Sequence, residues 1–196
     1  PSLARIGLLV GLFALAIAVY LPGLTGPFLF DDHVHITKNA ALHIDDLGPP
    51  ALTQAWHSSP MRFPGNRPLA QLSFGINHAL AGLSPLAFKA TNLAIHLICG
   101  ALVFLLAQRL ALLYLRPGAN TTRDPADAIT CARWVAGFCA ALWLLTPLNL
   151  TGVLYVVQRM ATLSALFVLL GLWLYVEGRA RIREGRAGGF WLMLAA

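Results

Sequence analysis

Two adjacent carboxylates, Asp31 and Asp32, follow the apolar triplet Phe28-Leu29-Phe30 and are the first residues of the chain suited to chemistry. Just outside an apolar run, partial loss of water makes a carboxylate a better general base. The competing structural role is a helix N-cap, for which Asp is among the preferred residues. His33 and His35 extend the run to Asp-Asp-His-Val-His, a donor set that suits a divalent ion. Neighbouring residues cannot all face one centre without an unusual backbone, so solvated loop histidines stand beside the metal as the alternative.

Two arginines come next. Arg67 lies in Asn66-Arg67-Pro68-Leu69, and Arg159 lies in Val157-Gln158-Arg159-Met160. A guanidinium beside an apolar span can grip a phosphate with two hydrogen bonds while its stem lies along apolar surface. Snorkelling to ordinary lipid headgroups is the plainer role for the same residues. Asn92 and His96 are four residues apart and share one helical face. Polar groups inside a span are costly unless they have work to do, and a neutral histidine bonded to a neighbouring helix is the alternative.

The elements that must position these residues are membrane spans. Of the 196 residues, 58% are hydrophobic and only 11% are charged, against about 25% charged in a soluble domain. The apolar residues form runs of about 20, the length that crosses a bilayer. Spans are expected at 6–24, 93–115, 134–150 and 160–176, with a fifth beginning at Gly189. The fold class is therefore all-α and polytopic. Pro1 at the start and an apolar run at the end suggest the N-terminal part of a longer chain.

The net charge of +6 reports topology rather than a nucleic-acid partner. Arg116, Arg123 and Arg133 flank one short loop, and Arg179, Arg181, Arg183 and Arg186 crowd another. Arg-rich short loops mark the cytoplasmic side, so the segment 25–87 faces outward. Cys99, Cys131 and Cys139 lie in or beside apolar spans, which argues for free thiols packed as small hydrophobes.

The outward segment holds five of the six histidines, seven of the twelve prolines and half of the acidic residues. A mere connector is shorter and plainer than this. After Asn66, an N-cap candidate, and Pro68, the residues Leu69, Leu72, Ile76, Leu80 and Leu83 recur at three- and four-residue steps. The spacing predicts an amphipathic helix at the membrane surface over 68–82. A shorter helix is expected around Leu52 to Trp56.

Taken in order, these strings resemble a known family. Phe28-Leu29-Phe30-Asp31-Asp32, Asn66-Arg67-Pro68-Leu69, Ser73-Phe74 with Asn77, Phe88 with Asn92 and His96, and Pro147 through Tyr155-Val156-Val157-Gln158-Arg159-Met160 are similar to the bacterial relatives of the transmembrane and tetratricopeptide-repeat (TMTC) O-mannosyltransferases. Those belong to the GT-C superfamily. The resemblance implies a sugar donor carried on polyprenyl phosphate, inversion at the anomeric carbon, and a catalytic Asp in the first outward loop. It implies Asp31 as base with Asp32 beside it, Arg67 and Arg159 on the donor phosphate, and Asn92 and His96 in support. The acceptor would be a hydroxyl on a protein or glycolipid, on the outer face of a bacterial inner membrane. Where many relatives have His-Pro, this chain has Thr146-Pro147. The rival functions are a membrane scaffold and a transporter. A transporter places its charged residues near the midplane, whereas these cluster in an outer loop.

Overall fold

The computed structural model describes residues 2–60, 67–115 and 124–196. Eight α-helices run through them: α1 Ser2–Leu24, α2 Pro49–Trp56, α3 Pro68–Ala81, α4 Pro85–Tyr114, α5 Pro125–Leu145, α6 Leu150–Leu154, α7 Arg159–Arg183 and α8 Gly189–Leu194. Four helical stretches are long and apolar enough to cross a membrane: Leu3–Leu24, Pro85–Tyr114, Pro125–Leu145 and Val156–Arg183. Their large apolar side chains are widely exposed, among them Leu3, Val10, Trp134, Phe138, Phe167 and Val168. In water such a surface would aggregate; in a bilayer it is the surface that lipid covers. The protein is an all-α polytopic membrane protein.

Helix ends follow local chemistry. α5 begins at Pro125, with the Asp124 carboxylate accepting from the N–H of Ala126 at 2.9 Å. It stops before Thr146-Pro147, earlier than the expected 150, because the residue before a proline is pushed out of the helical region. Beyond it the chain advances in short pieces, a 3₁₀ turn at Pro147–Asn149, α6, and a second 3₁₀ turn at Val156–Gln158 that leads into α7. α4 starts at Pro85, well before the expected 93. The polar residues Lys89, Thr91 and Asn92 hid its first turns in the sequence.

The chain divides into two compact units. One comprises Pro1–Ile17, Leu97–Pro147 and Ser164–Ala196; the other comprises Ala18–His96 and Leu148–Leu163. In the first, Phe104 packs with Ala136 and Ala140 against Leu8, Leu9 and Leu12. Small residues allow close approach of helices here: a Cβ on Gly178 would come within 2.7 Å of the Gly189 carbonyl oxygen. Arg109 of α4 makes ion pairs with Glu177 at 3.2 Å and Glu184 at 3.4 Å on and just after α7.

The second unit is built around Ile36, Leu42, Phe74, Phe88, Val156, Val157 and Met160. Both helices expected between the first two spans form, as α2 and α3. The backbones of α2 and α3 pass close enough that a Cβ on Gly75 would lie 2.6 Å from that of Ala55. α3 opens at Pro68 with Arg67 at its cap position; Asn66, the expected cap, lies outside the described residues, as do Arg116 and Arg123.

Candidate active site

Asp31 and Asp32 leave a sharp backbone reversal. Phe30, just before them, has φ 42°, a left-handed conformation that is strained for a bulky side chain. One turn of π-helix, His33–Thr37, follows, and the N–H of His35 donates to the Asp31 carbonyl at 2.9 Å. This geometry separates the two carboxylates completely.

Asp32 is fully buried. Its carboxylate accepts from the backbone N–H groups of Leu29 at 3.0 Å, Val157 at 2.7 Å and Val156 at 3.4 Å. It therefore caps the turn that starts α7, not a helix of its own segment. Burial pushes its carboxyl above the usual range, opposed by those three N–H groups and by Lys89. Lys89, also buried, donates to the carbonyls of Gly26 at 2.8 Å and Gly23 at 3.3 Å, closing the end of α1. A lone lysine early in an apolar span was the signal that could have marked it.

Asp31 is exposed. Its N–H donates to the Tyr155 hydroxyl at 3.1 Å, which brings the Asp31 side chain close to that hydroxyl. Partial burial raises the Tyr155 phenol above its ordinary value, and the neighbouring Asp31 carboxylate adds to the effect. Asp31 lines a cleft of about 150 Å³ together with His35, Ser59, Arg67, Gln158 and Met160. Ser59, Gln158 and Tyr155 are contributors that the sequence did not single out for chemistry, although Tyr155 and Gln158 lie inside one of the family-like strings.

The two arginines have different surroundings. Arg67 is exposed and lines the cleft, and its guanidinium donates to the sulfur of Met160 at 3.1 Å. Sulfur is a weak acceptor, so this bond takes up little of the guanidinium's donor capacity. Arg159 is 0% exposed and does not line the cleft. Its Nε donates to Asn92 Oδ1 at 2.6 Å, one terminal nitrogen to the Phe88 carbonyl at 2.8 Å, and the other to the carbonyl and hydroxyl of Ser73 at 3.1 and 3.2 Å. The guanidinium also lies over the rings of Phe74 and Phe88, 4.6 and 5.6 Å from their centroids. It is a buried cation held by carbonyl oxygens and aromatic faces.

Asn92 completes that hub by donating to the carbonyls of Val153 and Val156 at 3.2 and 3.3 Å. His96, buried one turn further along, meets the ring of Tyr20 edge-on at 5.5 Å. The family-like strings around Ser73-Phe74, Phe88, Asn92 and Arg159 thus assemble in one place, beneath the turn that Asp32 caps. His33 turns away, with Nδ1 3.2 Å from the Thr37 hydroxyl. Among the described residues no group of three or more His, Cys, Asp or Glu side chains converges as a metal site.

All-helical, membrane-spanning and carrying a carboxylate–arginine cleft, the chain has likeness in sequence to one characterised class of enzyme. It is 33% identical over 112 residues to the protein O-mannosyl-transferase Tmtc1 of Drosophila melanogaster. The aligned stretch is 52% of this chain and 12% of that relative. No protein-family model matches the chain, and no solved structure matches it.

Proposed function

We propose that this chain is part of a membrane glycosyltransferase that moves a sugar from a polyprenyl-phosphate donor to a hydroxyl of a protein or glycolipid acceptor. The observation that carries this reading is the pairing of Asp31 and Arg67 in one cleft beside membrane-spanning helices. The partial likeness to an O-mannosyl-transferase supports it. In the reaction the acceptor hydroxyl gives its proton to Asp31 as its oxygen bonds the anomeric carbon. The bond from that carbon to the phosphate oxygen breaks on the opposite face, inverting the centre, and its electron pair stays on the phosphate. Arg67 stabilises the charge that develops there. Asp32 and Arg159 act as positioning residues: Asp32 fixes the turn that presents Tyr155 and Gln158, and Arg159 holds α3, α4 and the start of α7 together. GT-C-like architecture, a bacterial inner membrane and an outward-facing cleft belong to the same proposal.

The test of function is transfer of labelled sugar from membrane lipid to acceptor, in cells where this gene is the only source of the activity. Arg67→Ala is expected to lower transfer by about 10–100-fold, the worth of one hydrogen bond to a charged group, at unchanged protein level. Transfer equal to wild type would remove Arg67 from the donor site.

Orientation has its own test. In a cysteine-free background, Asp45→Cys should react with an impermeant thiol reagent in intact spheroplasts, and Arg181→Cys should be protected. The reverse pattern would place the cleft in the cytoplasm and end the proposal of an outward-facing enzyme.

A further inference from the structure

The cleft contains a histidine whose state the proposed chemistry leaves unexplained. His35 is only 7% exposed, and its Nδ1 is enclosed without a hydrogen-bond partner. Its ring makes no hydrogen bond among the described residues, yet its backbone is firmly placed. Its N–H donates to the Asp31 carbonyl at 2.9 Å, and its carbonyl accepts from the Asn39 side chain at 3.2 Å. Buried polar groups are normally paired, and an exception calls for a ligand, a strain or an unseen partner.

The company of this imidazole narrows the choice. Beside His35 the cleft is lined by the Arg67 guanidinium, which only donates, by Ser59 and Gln158, which can donate or accept, and by the Asp31 carboxylate. An unpaired imidazole next to a guanidinium suits an oxyanion, whose several acceptor oxygens can take a hydrogen bond from each. We infer that His35 is a phosphate-binding residue, donating from its imidazole to one phosphoryl oxygen of a ligand in the cleft while Arg67 holds another. This rests on the proposed function in assigning that phosphoryl group to the sugar donor; the binding event itself needs no transfer.

Binding and transfer are therefore measured separately. Purified protein in detergent is titrated with labelled polyprenyl phosphate, using wild type, His35→Phe, which keeps a ring but no donor, and His35→Gln, which keeps a donor. His35→Phe is expected to weaken binding by about 10–100-fold, and His35→Gln to restore most of it. Displacement of the label by inorganic phosphate supports recognition of the phosphoryl group itself. Displacement by phosphatidylglycerol vesicles alone, with inorganic phosphate inert, would make the site a general headgroup contact and overturn the inference. Unchanged binding in a folded His35→Phe protein overturns it as well. So does equal loss in both variants with lowered thermal stability, which marks a packing residue. Wild-type transfer rates in His35→Phe would sink this inference and leave the glycosyltransferase standing. Binding that depends on His35 in a protein without transfer would do the opposite.

Discussion

Asp31→Asn is expected to lower sugar transfer by about 10²–10⁴-fold, the usual worth of general-base catalysis, with protein level and insertion unchanged. The substitution keeps the shape of the side chain and leaves the backbone bond from residue 31 to the Tyr155 hydroxyl in place. Its exposed position means that no buried acceptor is lost. Asp32→Asn is the matched control with the opposite signature. Its carboxylate accepts from three backbone N–H groups, and an amide would turn an NH₂ group towards at least one of them. That variant should fold poorly, with transfer falling in proportion to the folded protein. Full transfer by Asp31→Asn would show that its carboxylate is not the base. If Asp32→Asn then also kept full transfer, the loop would carry no base and the scaffold function would take the enzyme's place.

Arg159→Met should unfold the unit that contains the cleft. Leaving a buried acceptor without its donor costs about 1–3 kcal/mol, a large share of the margin by which a domain is stable. Here Asn92 Oδ1 would lose the guanidinium as its donor, and the ties from Arg159 to the Ser73 and Phe88 carbonyls, which bind α3 to α4, would be lost with it. Arg159→Lys should rescue only in part, since a single ammonium cannot reach three diverging acceptors and lie flat on two rings. The measurement is thermal unfolding of purified protein in detergent, followed by resistance to protease. A variant Arg159→Met that melts like wild type but no longer binds polyprenyl phosphate would return Arg159 to the donor site.

These two pairs, Asp31 with Asp32 and Arg67 with Arg159, show where reading the sequence stops. The spans were legible because lipid demands continuous apolar runs, and α3 because its leucines recur at helical steps. The start of α4 was not, since hydropathy treats Lys89 and Asn92 as interruptions although both are satisfied by carbonyls elsewhere in the fold. The roles within each pair were equally hidden. Asp31 and Asp32 are chemically identical neighbours, and what distinguishes them is two N–H groups more than 120 residues away. Arg159 reads as an end-of-span cation until Asn92, Phe88 and Ser73 are brought to it. Local pattern found the residues; long-range closure assigned their positions.

That closure has a consequence for biogenesis. The bond from Val157 to Asp32 spans 125 residues, so the segment that follows α1 leaves the ribosome long before the turn that completes it. At about 5–20 residues per second of synthesis the delay is about 6–25 s. Throughout it Asp32 has lost neither its water nor its freedom, and the nascent loop must wait in an open form until the start of α7 has been made. Slowed translation before the start of α7 has emerged should therefore prolong exposure of this segment to proteases and quality-control factors, whereas the same delay placed after its emergence should not.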